Sequence, residues 1–305
     1  MNRGWLSPAQ LESFDAAGTD AHRIFSAADG WVERLGQDAL ISYKTVEARD
    51  EMFAALPSWS EACAWRPQRV FGKLLPRQNE DRDPPALITG DPALSLTTEI
   101  RENGVRYGLD FGAGYSAGLF LDQRANRAAV RRSAPKRLLN TFAYTCSFST
   151  VAALAGGETV SVDLSRKSLD RGRANFVLNG LDPARGHRFL ADDVLEVLPR
   201  LARRGEKFDS IILDPPTFSR GNKGRRWQVE QHFEDLVLAA MEIAAPSARI
   251  LLSTNCTKLQ VADLERIGRF AMKFHRRPGD FHREPAMPDF PPGHGARTLW
   301  LVPRG

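Results

Sequence analysis

Glycine is missing where a nucleotide-binding chain most needs it. The segment "LNTFAYTCSFSTVAALAGGETVSVDLSRKSLDRGRANFVLNGL", Leu139 to Leu181, reads as a strand, a tight turn, a helix and a second strand ending in an acid. Its turn, Thr141 to Ser147, contains no glycine. A dinucleotide site uses glycines there so that the backbone can approach a pyrophosphate. Their absence argues against a nicotinamide oxidoreductase, although the βαβ pattern suits one. Cysteine is also scarce. Cys63, Cys146 and Cys256 are the three in the chain, and no C-x-x-C pair occurs. That excludes a disulfide framework and a structural zinc site, and points to a reducing, cytoplasmic setting without metal. No run of 18 apolar residues is present, so no membrane helix is expected. The opening "MNRGWLSPAQLESFDAAGTD" lacks an apolar signal core, which argues against secretion.

What is present is ordinary in amount and uneven in place. The chain is 42% hydrophobic and 26% charged, with a net charge of +5 over 305 residues. The cations gather in three groups: Arg124, Arg127, Arg131, Arg132, Lys136 and Arg137; Arg220, Lys223, Arg225 and Arg226; and His275, Arg276, Arg277, His282 and Arg283. Clustered cations suit a polyanion such as RNA, with a solvated basic surface as the alternative.

Two halves differ in pattern. Residues 1–98 read as a small α+β subdomain. It has a strand over Ala39–Tyr43, a helix from Val46 that ends before Pro57, and a strand over Arg69–Leu75. The polar, proline-rich stretch Pro76–Pro92 reads as a linker. Two further strands, Leu94–Ile100 and Val105–Phe111, flank the hairpin turn Glu102-Asn103-Gly104. Residues 99–305 form the second domain, where strands and helices alternate from Arg137 onward. The expected strands are Arg137–Asn140, Thr159–Val162, Arg188–Leu190, Phe208–Leu213 and Ala248–Ser253. The fold class is therefore α/β, a Rossmann-like, mainly parallel, doubly wound sheet. Ligands of such sheets bind beyond the carboxyl ends of the strands.

The residues at those ends carry the chemistry. Asp163 follows the second strand at the distance where an acid accepts from ribose hydroxyls, with helix capping as the alternative. Asp192 and Asp193 follow the third, where a carboxylate can accept an exocyclic amino group or cap the next helix. Asp214-Pro215-Pro216-Thr217-Phe218-Ser219 follows the fourth. Its two prolines stiffen the backbone into an acid-led wall suited to a flat nucleobase. Asn255 and Cys256 follow the fifth. Cys256 is either a nucleophile or a small residue finishing a strand.

The strings "GYSAGLFLDQRANR", "LNTFAYTCSFS", "VDLSRKSLDRGRANFVLNGL", "ADDVLEVL" and "LDPPTFS" resemble the S-adenosylmethionine-dependent methyltransferases of large-subunit ribosomal RNA. One branch methylates cytosine C5 and another guanine N7. The resemblance covers about Glu99 to Cys256 and implies a class I methyltransferase fold, S-adenosylmethionine as methyl donor and RNA as partner. It implies that Phe142, Tyr144, Thr145, Ser147 and Thr141 form the cofactor turn, with Asp163 on the ribose. Asp193, then Asp192, lies by the adenine. Gln123 and Arg124, in an "FLDQR" hairpin, cover the methionine end, and Arg124 pairs with its carboxylate. Asp214 serves cofactor and catalysis. Pro215, Pro216, Phe218 and Asn255 hold the substrate base. Asn175 and Asn179 are read as helix packing and capping. The first residues do not resemble the RNA-binding PUA domain common in the family.

Where the family keeps a glycine this chain has Cys146, which raises two possibilities: strain at a positive φ, or a thiol crowding the ligand. Cys256 falls where the cytosine branch has its nucleophile, whereas Ser253-Thr254-Asn255 and "DPPTFS" lean towards the guanine branch. A methyltransferase-derived RNA-binding protein without turnover is the further alternative.

Overall fold

The computed structural model describes residues 4–75, 82–220 and 226–304. Lys223 and Arg225 of the second basic group, and most of "RQNEDRDPP", lie outside the described residues. The chain divides into two compact units, residues 1–124 with 286–294, and residues 125–285 with 295–305.

In the first unit, α1 (Pro8–Ala16) precedes β1 (Ala21–Ala27), β2 (Gly30–Leu35) and β3 (Asp38–Tyr43). Then come α2 (Val46–Ala62), β4 (Arg69–Leu74), β5 (Ala86–Thr89), β6 (Thr97–Glu102) and β7 (Val105–Asp110). Among the described residues, β1 to β5 form a five-stranded sheet in sequence order, antiparallel except for β3 beside β4. Ile24, Val32, Ile41, Met52, Leu56 and Trp59 build its core. Helix α2 does not stop before Pro57. Trp59, beyond the proline, is buried and its indole donates to the Leu6 carbonyl at 2.7 Å, which holds the last turn in place. The stretch read as a linker contains β5. The β6–β7 hairpin turns at Asn103 and Gly104, with φ of 50° and 75°, the two left-handed residues a type I′ turn requires. That hairpin belongs to the first unit.

The second unit begins in α3 (Arg124–Ser133) and alternates as expected. Its elements are β8 (Arg137–Thr141), α4 (Ser147–Leu154), β9 (Glu158–Asp163), α5 (Arg166–Leu178), β10 (His187–Ala191), α6 (Val194–Arg203) and β11 (Phe208–Leu213). The short pair β12 (Phe218–Arg220) and β13 (Arg226–Gln228) follows, then α7 (Val229–Glu242), β14 (Ala244–Thr254), α8 (Val261–Phe274), β15 (Gly279–His282) and β16 (Arg297–Pro303). Among the described residues the main sheet has seven strands in the order β10-β9-β8-β11-β14-β16-β15. The first five are parallel, and β16 and β15 are antiparallel. Strands covered by helices on both faces read as apolar runs, and β11 fits this, with Ile211, Ile212 and Leu213 fully buried. Strand order reverses between β8 and β11, so the loops after these two strands open the crevice where such folds bind ligands.

Candidate functional site

The loop after β8 is strained. Phe142, Tyr144 and Cys146 all have left-handed backbones, with φ of 52°, 48° and 59°. Each such residue costs an L-amino acid about 1–2 kcal/mol. Strain of this kind persists only where neighbours over-determine it, and it clusters at ligand sites. The neighbours here are identifiable. Ala143 N–H donates to the Val162 carbonyl at 2.9 Å, and Cys146 N–H to the Ala143 carbonyl at 2.8 Å. Tyr144 N–H donates to Asp163 Oδ2 at 2.9 Å. From α5, the buried Asn175 donates its amide to the Thr145 carbonyl at 3.0 Å. Asn175 therefore braces the turn rather than merely packing a helix. Asn179 donates to the Asn175 carbonyl at 2.7 Å and closes α5.

Both consequences raised for Cys146 are now decided by geometry. The position does take a positive φ. The thiol, however, turns inward and is fully buried with Ala143, Ala153, Leu169 and Phe176. It occupies the notch left by Gly172 on α5. A Cβ built on Gly172 would lie 2.5 Å from Cys146 Sγ and 2.8 Å from its Cβ. The glycine absent from the turn thus has a counterpart in the helix behind it. Burial pushes the Cys146 thiol up to about 12, so it stays protonated and inert at neutral pH.

Asp163 ends β9. Its Oδ2 takes Tyr144 N–H, and its Oδ1 takes Ser165 N–H at 2.8 Å. Ser165, not Asp163, caps α5, by accepting from Ser168 N–H. Burial raises the Asp163 carboxyl above the usual aspartate range, against the pull of its two amide hydrogen bonds. Each oxygen retains a further lone pair for a hydroxyl donor. Asp192 N–H donates to the Asp163 carbonyl at 3.0 Å, which brings the next strand's acids alongside. Asp193 is buried and caps α6 through Leu195 N–H at 3.0 Å. Asp192 pairs with Arg200, which holds its carboxyl below the usual range. Ser147, at the start of α4, sits 3.5 Å from Arg127 Nη1.

The loop after β11 is held differently. Asp214 is half-buried, Pro215 is buried, and Pro216 and Phe218 are exposed. Trp227, unnoticed in the sequence, locks this wall. Its indole donates to the Pro216 carbonyl at 2.9 Å, and its ring lies 5.7 Å from that of Phe142 and 5.4 Å from that of His232. Trp227 thereby joins the turn after β8 to the loop after β11. A buried tryptophan in the otherwise polar "GNKGRRWQVE" was the available signal. Beyond β14, Asn255 is exposed, whereas Cys256 belongs to the apolar core at 4% exposure. Its N–H donates to Thr254 Oγ1 at 3.1 Å.

Gln123 and Arg124 fall in the first unit and are buried. "FLDQR" is a short 3-10 turn, Leu121–Gln123, running into α3, and not a hairpin. The Arg124 guanidinium pairs with Asp289 and donates to the Ala21 carbonyl at 3.1 Å, so its charge is already matched within that unit. The basic groups are likewise partly internal. Arg127 is 1% exposed. Arg277 donates to the carbonyls of Ala244, Ala245 and Pro246. Arg131 and Lys136 are exposed, as is Arg132, which pairs with Glu284 at 2.7 Å. Sequence neighbours on a helix point in different directions, so a run of arginines need not form one patch.

Within the second unit the donor set fits the adenosine part of S-adenosylmethionine. An acid with spare acceptor capacity stands at a strand end, further acids lie alongside, and the turn beside them needs no phosphate contact. Residues 40–302 match the model of the S-adenosylmethionine-dependent methyltransferase family. The chain is 41% identical over 181 residues to ribosomal RNA large subunit methyltransferase I of Erwinia tasmaniensis, covering 58% of this chain and 44% of that protein. It is 34% identical over 278 residues to the protein of the same name from Escherichia coli O139:H28, covering 86% and 65%. The chain thus spans less than two thirds of either relative. SMU.776, a methyltransferase solved in complex with SAH, superposes with a TM-score of 0.81 at 26% identity over 97% of this chain and 78% of that one. An S-adenosylmethionine-dependent methyltransferase from Agrobacterium tumefaciens shares the fold, with a TM-score of 0.70 at 24% identity over 93% and 90%. With most of its length matched by the family model, the chain belongs to the S-adenosylmethionine-dependent methyltransferases.

Proposed function

We propose that the chain transfers a methyl group to a base of large-subunit ribosomal RNA, at cytosine C5. The observation that carries this reading is the placement of Asp214 and Cys256 beyond neighbouring strands. Strands β11 and β14 are paired with Leu213 opposite Leu252, so both residues lie past the same carboxyl edge. The names of the relatives supply the RNA substrate. S-adenosylmethionine, when bound, supplies an electrophilic methyl group. Cytosine C5 is a poor nucleophile, and a thiolate added at C6 makes it reactive. Cys256 is the candidate for that thiolate. Asp214 is the carboxylate on the same edge that can hold the amino group of the base or accept the C5 proton. Loss of that proton expels the cysteine and restores the ring. Pro215, Pro216, Phe218 and Asn255 would frame the base, and Phe142, Tyr144, Thr145, Ser147, Asp163, Asp192 and Asp193 the cofactor.

A second reading is methyl transfer to guanine N7, which already carries a lone pair and needs positioning alone. The burial of Cys256 in the apolar core favours it. One variant separates the two. Cys256→Ala should lower C5 methylation at least about 100-fold, the scale expected when a catalytic group is removed. Nucleoside mass spectrometry of the RNA product reads both rate and atom. Full activity in the variant, with the mark on guanine, would sink the cytosine reading.

A further inference from the structure

The β10 edge of the seven-stranded sheet carries a basic cleft that shares Asp192 with the proposed cofactor residues. It has a volume of about 320 Å³ and runs along β10 between α5 and α6, with Phe189 to Ala191 as its floor. Arg166 and Arg173 line one wall, Arg200 and Arg204 the other, and Asp192 is the one acid lining it.

The four arginines are not equivalent. Arg173 pairs with Asp170 at 2.6 Å and lies 4.6 Å from the centre of the Phe189 ring. Arg200 pairs with Asp192. These two are pre-positioned by partners that leave part of each guanidinium exposed. Arg166 and Arg204 are exposed, and among the described residues neither has a charged partner. Guanidinium forks match phosphate oxygens, and among the described residues those of Arg166 and Arg204 face no carboxylate. The cleft also has a defined position. Asp192, which lines it, donates its N–H to the carbonyl of Asp163, the proposed ribose acid, at 3.0 Å.

We infer that this cleft binds the sugar-phosphate backbone of the RNA that the chain methylates. The inference rests on the RNA reading above. An acidic peptide pairing with the free edge of β10 is the rival occupant. Long cations flanking an edge strand are a device that discourages strand pairing, and this favours a nucleic-acid backbone.

The test is Arg166→Glu combined with Arg204→Glu, beside the milder Arg166→Gln/Arg204→Gln pair. Binding is measured on the full chain with a large-subunit ribosomal RNA fragment across a salt series. The glutamate pair should weaken RNA binding at least about 10-fold at low salt. It should also flatten the log–log salt dependence by about 1.4, the value for two lost phosphate contacts on a single strand. The glutamine pair should give a smaller change in the same direction, and S-adenosylmethionine affinity should stay unchanged in both. Wild type that binds RNA while both variants bind it equally well, with the same salt slope, overturns the cleft alone. Wild type that binds S-adenosylmethionine but no RNA overturns the RNA reading and the cleft together. Loss of binding to a polyglutamate peptide with RNA binding intact transfers the cleft to the rival occupant.

Discussion

The loops after β8 and β11 face the same crevice, and neither contains glycine, yet each is fixed by a different means. The turn Thr141–Ser147 is held by strain and bracing: three left-handed residues, an acid taking one backbone amide, and an asparagine taking one carbonyl. The wall Asp214–Phe218 is held by the covalent stiffness of two prolines, by the Trp227 indole on the Pro216 carbonyl, by Val229 N–H on the Thr217 carbonyl at 3.1 Å, and by the pairing of Phe218 with Gln228. The first arrangement stores energy and depends on its neighbours. The second adds partners from the segment Trp227–Val229 to a backbone its prolines already restrict. Substitutions behind the turn should therefore disturb cofactor binding, whereas substitutions behind the wall should disturb base placement.

The largest expected effect is at Asp163. Replacing it with alanine removes the proposed acceptor for the ribose hydroxyls and frees two backbone amides. Hydrogen bonds to a charged group are worth about 1.5–3 kcal/mol each. Asp163→Ala should weaken S-adenosylmethionine binding roughly 100-fold by calorimetry, at about 3 kcal/mol in total. The same carboxyl gives a pH signature. Its pKa is raised in the fold, so its contribution to stability is fully present below the ordinary aspartate value and is lost as pH rises through the raised one. Hydroxyl donors bind the ionised form more strongly than the protonated one. Lowering the pH through that value should weaken cofactor binding while this group's share of stability grows. Parallel titrations and melts across acid pH check both signs.

Next comes the notch behind the turn. Gly172→Ala puts a methyl group 2.5 Å from the Cys146 sulfur, and overpacking of this kind costs about 1–3 kcal/mol. It should lower both stability and cofactor affinity. The double variant Cys146→Gly/Gly172→Ala should regain most of the loss, because the sulfur no longer fills the notch. A double-mutant cycle with no coupling between the two positions would contradict the account. The smallest effect is behind the wall. Trp227→Phe keeps a ring beside Phe142 and loses the bond to Pro216. It should cost about 1 kcal/mol in methyl transfer to RNA and leave cofactor affinity within error.

Much of this was readable from the chain. The parallel strands β8 to β11 and β14 are legible as apolar runs separated by helical spacing, and Asp163, Asp192 and Asp214, proposed as site residues, do stand at the carboxyl ends of β9, β10 and β11. Strands β15 and β16 were missed because antiparallel additions beyond the alternating pattern leave no periodic cue. The bracing residues were hidden for another reason. Gly172 and Asn175 sit within an unremarkable helical sequence, and their role appears only when α5 is packed behind the turn. Trp227 is tied to Pro216 across 11 residues, including a segment with no regular pattern. Arg127 reads in the sequence as part of a basic cluster, and Arg124 also as a partner for the cofactor's carboxylate, because their burial is not visible there.

The glycine-free turn is proposed as a working methyl-donor site, with the Cys146 thiol buried behind it. Titration of S-adenosylmethionine into the wild-type chain and into Cys146→Gly tests it most directly. Glycine relieves about 1 kcal/mol of left-handed strain but empties the notch against Gly172, so the two effects offset. The account predicts saturable binding in both proteins, with affinities within about threefold, less than 1 kcal/mol. Binding that appears only once Cys146 is replaced by glycine would contradict it.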